Sequence, residues 1–413
     1  GPATGHQLGV GAHLDQAGTV HHQDQIGHEH RREAVRDQDG DPSVARRGTG
    51  PAGESLEERM LGLRVEGGGR LIEQHHGSVL RQHQCDPGAL ALSAGQACAQ
   101  VSGDTVRIGV LNDQSGLYAD FGGRGSVIAA QMAVEDFGGK VLDAPIEVVS
   151  ADHQNKADIA SNIARQWYDT EQVDSIMELT SSSVGLAVQA LSAEKKRITI
   201  NTGAATTDLT GKACTPYGFH WAYDTHALAV GTGGALVREG GDSWFFLTAD
   251  YAFGYSLEEQ TGSFVSENGG TIAGSVRHPL ATTDFSSFLL QAQASKAKVI
   301  GLANAGGDTI NAIKQAAEFG IVSGGQRLAG MLLFISDVHA LGLDAAQGLV
   351  ATTGFYWDMD DEARAWSQRY FQRMDRMPNM VQAGVYSSVM HYLKAIDAAG
   401  HPALLLVDTI SSL

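Results

Sequence analysis

Four consecutive hydroxyl residues, Thr180 to Ser183, lie between an apolar strand-like segment and a helix-like one in "SIMELTSSSVGLAVQAL". Hydroxyl side chains lower helix propensity and add little to a core, so this cluster at a strand-to-helix turn indicates a site that holds a ligand. Helix N-termini present unsatisfied N–H groups at the positive end of the helix dipole, which favours an anion, most simply a carboxylate. Capping by Ser183 alone is the competing interpretation, because a cap needs no further function.

Other motifs that could carry chemistry fit less well. His28-Glu29-His30 lacks the four-residue histidine spacing of a zinc protease, and "FGGRGS" and "GTGGA" do not follow a strand with dinucleotide-binding spacing. The sequence also lacks a G-x-S-x-G elbow and a Walker A loop. We therefore expect no cofactor, no metal site and no enzymatic activity, with an enzyme on a doubly wound fold as the rival class.

Alternating strand and helix patterns predict the elements that position the hydroxyl cluster. One series runs from Val106 to Thr202, and a second begins near Thr225. Each predicts an α/β lobe in which helices cover both faces of a parallel sheet, with ligands bound at the carboxyl ends of the strands. The loops expected at those ends are "NDQSGLYADFG", "TSSS", "NTGAATTDLT", "TADYAFG", "ANAGGD" and "ISDVHA".

Composition limits the partners. The 413-residue chain is 43% hydrophobic, which is ordinary for a globular protein, and its formal net charge is -18. Nucleic acids and anionic membrane surfaces reward clustered Lys and Arg, so we expect neither as the main partner.

Residues 1–99 differ from the rest of the chain. They contain no Lys, Phe, Tyr, Trp or Asn, and a segment without aromatic residues buries too little apolar surface to offset its ordering entropy. We predict a disordered or non-native extension, with much of residues 1–87 arising from out-of-frame or upstream translation. Ala97-Cys98-Ala99 has the form of a signal-peptidase site, the remnant of an incomplete signal peptide. Cleavage after Ala99 would leave Cys214 as the one remaining cysteine, so we expect no disulfide in the exported chain.

From Asp104 to about residue 398 the sequence resembles the periplasmic solute-binding proteins of branched-chain amino-acid-type ABC importers, the leucine/isoleucine/valine-binding protein family. The segments that carry the resemblance are "VRIGVLNDQSGLYADFGGRGSVIAAQMAVEDFGG", "SSSVGLAVQ", "TADYAFG", "GGDTINAIKQAAEFGI" and "MVQAGVYSSVMHYLKAIDAAG". The resemblance rests on their order and spacing, since no single motif is strict.

The resemblance implies a type I periplasmic binding fold, in which two α/β lobes joined by hinge strands close on a ligand. Lobe one then comprises residues 104–224 and 358–399, and lobe two comprises residues 225–352. "FHWAYDT" and "TTGFYWD" become the hinge crossings. Residues 400–413 become a truncated tail, and the missing strand would leave lobe two with an exposed sheet edge.

The resemblance also implies roles for individual residues. The loops after the third and fourth strands hold the ligand carboxylate in the family. These roles carry over to Ser181, Ser182, Ala204, Ala205 and Thr206. The first loop contributes Ser115 and an aromatic side chain that packs on the ligand, Tyr118 or Phe121.

The loops of lobe two complete the implied site. Tyr251 and Phe253 match the aromatic position of lobe two, and Asp337 is placed to bind an α-ammonium group. Asn304 begins a segment, 304–307, that replaces bulkier aromatic residues of typical leucine binders and leaves room for a larger ligand.

The function implied is that of a periplasmic protein that captures a small carboxylate-bearing solute, an amino acid or related organic acid, for an ABC permease in the inner membrane. An aromatic carboxylate is the rival ligand class. A ligand-sensing receptor domain is the rival function.

Overall fold

A computed structural model of the protein describes residues 61–65, 71–75 and 104–399. The described strands are β1 (Leu61–Val65), β2 (Leu71–His75), β3 (Val106–Asn112), β4 (Lys140–Val141), β5 (Ala144–Asp152), β6 (Ser175–Glu178), β7 (Ile198–Asn201), β8 (Gly218–His220), β9 (Ser243–Ala249), β10 (Thr271–His278), β11 (Val299–Ala303), β12 (Arg327–Gly330) and β13 (Val350–Thr353). The described α-helices are α1 (Gly123–Phe137), α2 (Ala157–Asp169), α3 (Ser182–Lys195), α4 (Thr225–Leu228), α5 (Gly234–Arg238), α6 (Ala252–Glu267), α7 (Ser286–Ser295), α8 (Gly307–Glu318), α9 (Ile335–Leu341), α10 (Leu343–Ala346), α11 (Asp361–Met374) and α12 (Met380–Ala399). A 3₁₀ turn, Thr207–Leu209, follows β7, and a π-helical turn, Ala229–Gly233, joins α4 to α5.

Lobe one is built on a six-stranded sheet in the order β4-β5-β3-β6-β7-β8. Successive residues of a strand point to opposite faces, so an apolar run can bury both of its faces. Val106, Ile108 and Val110 of β3 therefore pack into the core that α1 and α12 contribute to, whereas Leu111 packs into the core under α2 and α3. The predicted two-sided helix cover is confirmed.

One strand of this sheet departs from the predicted parallel arrangement. Short β4 pairs antiparallel with β5, because the two residues between them, Leu142 and Asp143, both have positive φ angles of 49° and 66°. Two left-handed residues make the tight turn of a β-hairpin, which reverses the chain.

Lobe two contains a parallel sheet in the order β10-β9-β11-β12. The run "SWFFLTA" alternates between two cores. Trp244 and Phe246 face the core shared with α6, and Phe245 and Leu247 face the core shared with α7 and α8. Both faces of this sheet are thus covered, as the continuous apolar run predicts.

Two segments of the chain connect the sheets of the two lobes. Strand β8 ends at His220 and helix α4 begins at Thr225. Strand β13 leads back to α11 and α12, which pack against α1 of lobe one. The domain boundaries stay a prediction that this arrangement of elements supports.

Strand β13 also pairs antiparallel with β1, and β1 pairs with β2. One backbone edge of β13 therefore has a partner strand. Both β1 and β2 lie in the segment predicted to be a disordered or non-native extension. The rest of that segment, the Ala97-Cys98-Ala99 site and the tail 400–413 lie outside the described residues.

Cys214 is disulfide-bonded in the full chain. The expectation of no disulfide concerns the chain cut after Ala99, so it stays a prediction. Among the helices of the described residues, none combines the length and apolarity needed to cross a bilayer.

Candidate ligand-binding site

A cleft lies between the carboxyl ends of the strands of the two lobes. The space between its lining residues is about 210 Å³ and includes open solvent. The loops after β3, β6 and β7 form the lobe-one wall, and those after β9, β11 and β12 form the lobe-two wall. The lining residues are Tyr118, Phe121, Ser181, Ser182, Gly203, Ala205, Tyr251, Phe253, Ala305 and Leu332.

Ser182 ties two loops of lobe one together. Its Oγ accepts hydrogen bonds from the backbone N–H groups of Ala205 at 3.3 Å and Thr206 at 3.1 Å. Both bonds use the oxygen as acceptor, so the hydroxyl proton is left to donate. Because Ser182 lines the cleft, an anion there can accept that proton in a hydrogen bond.

Ser181 precedes helix α3 in a backbone conformation that few non-glycine residues adopt. Its φ angle is 87°, and Glu178 and Leu179 have φ angles of 77° and 57°. Such residues cost on the order of 1–3 kcal/mol each and persist where the surroundings enforce them, often at ligand sites. The Ser181 side chain makes no capping hydrogen bond to the described helix, so its hydroxyl and the N-terminus of α3 together offer donors to the cleft.

Aromatic side chains cover the other side of the cleft and join the lobes. The Tyr118 and Phe121 ring centroids lie 5.0 Å apart, and Phe121 stacks on Phe334 of lobe two at 4.5 Å. The hydroxyl oxygens of Tyr118 and Tyr251 are 2.6 Å apart across the cleft. The two centroid separations are those of attractive ring pairs, and the two hydroxyl oxygens are within hydrogen-bond distance. The lobes therefore contact each other around an aromatic enclosure.

A glycine permits this contact between the lobes. Gly306 has a φ angle of 58°, and a Cβ at this position would lie 3.1 Å from the backbone oxygen of Leu117 and 3.3 Å from the Tyr118 ring. Any larger residue would strain its own backbone and push the first loop of lobe one away.

Within the described part of the chain, the cleft lining carries no charged side chain. Buried carboxyl groups lie behind it instead. Burial raises the pKa of Glu178 to about 8, opposed by a hydrogen bond from Thr180 Oγ1 at 2.6 Å. Burial likewise raises the pKa of Asp308 in lobe two to about 6, and it raises the pKa values of the Tyr118 and Tyr251 hydroxyls above their ordinary range.

Comparison with known proteins identifies the family. A family model described as periplasmic binding protein matches residues 105–405. The chain belongs to the periplasmic binding protein family. This confirms the resemblance seen in the sequence and the expected two-lobed type I fold. The family comprises substrate-binding proteins and implies a periplasmic location.

Solved structures of other periplasmic binding proteins are similar to this chain. One from Burkholderia mallei is 56% identical, with 75% of this chain and 81% of that chain covered and a TM-score of 0.72. A branched chain amino acid ABC transporter periplasmic ligand-binding protein from Burkholderia xenovorans LB400 is 40% identical, with 75% and 82% covered and a TM-score of 0.67.

Curated relatives are more distant. The Leu/Ile/Val-binding protein homolog 6 of Brucella melitensis is 26% identical over 269 residues, which is 64% of this chain. The match spans 66% of that relative's own length.

Many of the predicted site residues meet in the cleft of this periplasmic binding protein. They are Tyr118, Phe121, Ser181, Ser182, Ala205, Tyr251 and Phe253. Their roles toward a ligand stay predictions, but their convergence from four loops of the two lobes is the geometry that those roles require.

Three predicted residues of lobe one do not line the cleft of the described structure. Ser115 is exposed and donates to Asp152. The Ala204 carbonyl accepts a hydrogen bond from His220 Nε2 at 2.7 Å. Thr206 accepts from the N–H of Asp208 and caps the 3₁₀ turn.

Two predicted residues of lobe two are engaged elsewhere. Asn304 bonds to His278 and accepts a hydrogen bond from Thr309 at 2.7 Å. The Asp337 carboxylate accepts the N–H of Phe334 at 2.9 Å, which caps helix α9. Burial raises the pKa of Asp337 to about 7. Asp337 does not line the cleft of the described structure.

The prediction missed Gly203, Ala305 and Leu332, which line the cleft. Gly203 and Ala305 lie in predicted loops beside named residues, so the loop pattern contained them. Leu332 lies in the loop after β12, which ends at Gly330, and its apolar side chain gives no sign in the sequence that the strand has ended.

Proposed function

We propose that the protein is the substrate-binding component of an ABC importer and captures a small carboxylate-bearing solute between its lobes. The observation that carries this proposal is that the cleft has hydroxyls at the N-terminus of α3 on one side and residues of lobe two on the other. The hydroxyls belong to Ser181 and Ser182. Hydroxyl and backbone N–H donors suit a carboxylate. A cleft shared by two lobes suits capture by closure, because a ligand that contacts both lobes favours the closed state.

Delivery to an inner-membrane permease and export to the periplasm are part of the same proposal. Membership of the periplasmic binding protein family supports both, and the Ala97-Cys98-Ala99 sequence supports export.

The lining favours an aromatic carboxylate over an α-amino acid as the solute. Four aromatic side chains, Tyr118, Phe121, Tyr251 and Phe253, surround the space, and aromatic pairs gain about 0.5–1.5 kcal/mol beyond their buried area. An α-ammonium group would enter a cleft whose described lining offers it no carboxylate. Burying a charged donor without a partner is costly.

Calorimetric titration of the purified full chain tests the function. The panel is benzoate, 4-hydroxybenzoate, phenylalanine and leucine, with benzamide as the uncharged match to benzoate. We expect benzoate or its hydroxylated relative to bind and benzamide to fail, since the amide lacks the charge that the donors recognise. Small-angle scattering with the bound solute should show a smaller radius of gyration.

Two results would contradict the proposal. The first is saturable binding of benzamide as tight as that of benzoate, which would remove the carboxylate from recognition. The second is the absence of binding by every acid in the panel and of any carboxylate retained after native purification, as judged by mass spectrometry.

A further inference from the structure

Glu178 lies behind the carboxylate cradle, which consists of the cleft-lining residues Ser181, Ser182, Gly203 and Ala205. Its backbone oxygen accepts the N–H groups of Thr202 and Gly203, each at 3.1 Å. Gly203 lines the cleft, and a Cβ built on it would lie 3.1 Å from Thr180 Cα and 3.5 Å from Glu178 Cγ. The Glu178 carboxyl is therefore packed directly behind the surface that the proposed ligand contacts.

The same carboxyl contacts the first loop of lobe one. A Cβ built on Gly122 would lie 2.3 Å from Glu178 Oε1, and that oxygen accepts the hydrogen bond from Thr180. Glu178 thus stands where the three loops of the lobe-one wall meet. A change in the charge of its carboxyl group therefore alters the electrostatic environment of all three loops.

Glu178 has no counter-ion within the described part of the chain. It is completely buried, and its Oε2 has no hydrogen-bond partner there. Ser126 and Asn112 approach the carboxyl and act to lower its pKa. The titratable groups that face it are Asp113 in the first loop, Tyr223 at the crossing and Tyr370 on α11. None of these supplies a positive charge.

We propose that Glu178 is a positioning residue that keeps its proton while the cradle holds a carboxylate, so that ligand capture is linked to a proton. This inference rests on the proposed function. A second anion behind Gly203 would repel the ligand in a site of low dielectric, whereas a neutral carboxyl does not. The ligand in turn favours the protonated form, so binding at a pH where the free protein has lost this proton requires proton uptake.

Burial raises the pKa of Glu178 to about 8. This value determines the pH range in which the ligand affinity should depend on pH. Below this pH the free protein carries the proton and the ligand affinity is at its plateau. Above it the affinity falls, approaching tenfold per pH unit. Burial also raises the pKa of Asp308 to about 6 and that of Asp337 to about 7, so the titration of Asp337 overlaps the tested range and needs its own control variant.

Calorimetric titration from pH 6.5 to 9.5 tests the linkage. Benzoate and 4-methylpentanoate are the probes, since neither changes its charge in this range. We expect roughly tenfold weaker binding by the wild type at pH 9 than at pH 7. Titration at pH 8.5 in two buffers of different ionisation enthalpy should show uptake of roughly half to one proton per ligand.

The Glu178→Gln variant keeps the shape of the carboxyl and removes the titration. We expect its affinity to change less than about twofold between pH 7 and 9 while matching the wild type at pH 7 within about threefold, a difference of less than 1 kcal/mol. Asp337→Asn is the matched control, a second buried carboxyl that caps a helix of lobe two. It should keep the pH dependence of the wild type.

The possible results separate the two proposals. Wild-type affinity independent of pH, absence of proton uptake, or a Glu178→Gln variant that weakens above pH 8 as the wild type does would overturn the role of Glu178 while leaving carboxylate binding intact. If neither probe binds at any pH and leucine binds instead, leucine becomes the probe. The leucine amino group titrates equally with the wild type and with the Glu178→Gln variant, so the difference between the two proteins gives the contribution of Glu178. Absence of binding by every acid is a failure of the proposed function.

Discussion

Both walls of the cleft carry aromatic side chains, but the lobe-one wall adds the hydroxyls of Ser181 and Ser182 at the N-terminus of α3, whereas the lobe-two wall adds Ala305 and Leu332 and has one hydroxyl, that of Tyr251. The donors for an anion are therefore concentrated on one lobe. A ligand can make its charged contacts with lobe one alone, and lobe two then adds apolar contact and excludes water. This division favours a sequence in which lobe one binds first and closure follows.

The backbones of the two walls differ in the same way. Lobe one approaches the cleft through Glu178, Leu179 and Ser181, all with positive φ angles. Lobe two reaches it at Tyr251 in extended conformation, followed directly by helix α6. Conformational strain is thus found in the wall that carries the polar donors, which is the wall where donor direction determines affinity.

The largest effect is expected from placing a negative charge in the polar wall. Ser182→Asp can still accept the N–H groups of Ala205 and Thr206 and suits the first turn of a helix, so the fold should persist. Its carboxylate would repel the ligand carboxylate, and we expect benzoate affinity to fall at least about 100-fold, at 1.4 kcal/mol per factor of ten. Calorimetry measures the loss, and circular dichroism checks the fold. Affinity within threefold of the wild type would show that the charge binds elsewhere.

Removing one donor from the same wall gives the next largest effect. Ser181→Ala should weaken carboxylate binding about tenfold, because a hydrogen bond to a charged group contributes about 1.5–3 kcal/mol. Ser183→Ala is the matched control, since Ser183 belongs to the same hydroxyl run but does not line the cleft of the described structure. Equal losses in both variants would assign the effect to the helix N-terminus and not to the Ser181 hydroxyl.

A smaller effect is expected on the lobe-two wall. Tyr251→Phe removes the hydroxyl that meets Tyr118 across the cleft, and a hydrogen bond of about 1 kcal/mol predicts about fivefold weaker binding. The loss should appear as faster dissociation in stopped-flow measurements, because the bond forms only when the lobes meet. Tyr255→Phe, on the helix that follows Tyr251, is the control, as its hydroxyl bonds to Asp250 on the surface. A slower association rate with unchanged dissociation would contradict a closing role.

The smallest effect is expected from Asp337→Asn. An amide oxygen can accept the Phe334 N–H as the carboxylate does, so benzoate affinity should change by less than about twofold at pH 7, well under 1 kcal/mol. The same variant tested with leucine discriminates the ligand classes. A loss of about tenfold for leucine would restore the predicted contact between Asp337 and an α-ammonium group.

The polar wall was easier to predict from sequence than the apolar one. Hydroxyl residues at a strand-to-helix turn have few structural uses, so Ser181 and Ser182 stood out, and strand alternation placed their loop at the correct sheet edge. The left-handed backbone at Glu178 and Leu179 was not predictable, because their side chains do not favour it and tertiary packing imposes it. The position of Asp337 came from the family pattern, which does not reveal that its carboxylate turns back to cap α9. Leu332 was missed because an apolar residue after a strand has the same pattern as one inside it.

The two tyrosine hydroxyls that meet across the cleft at 2.6 Å also make the protein a candidate for optical or magnetic reporting of solute levels. Each belongs to a different lobe, so the environment of either ring changes when the lobes separate. A single fluorine atom on the Tyr251 ring would give one ¹⁹F resonance for each state, and the ratio of the two resonances would read out occupancy without a fused fluorophore. The aromatic contact between the lobes would then report directly on whether the cleft is open or closed.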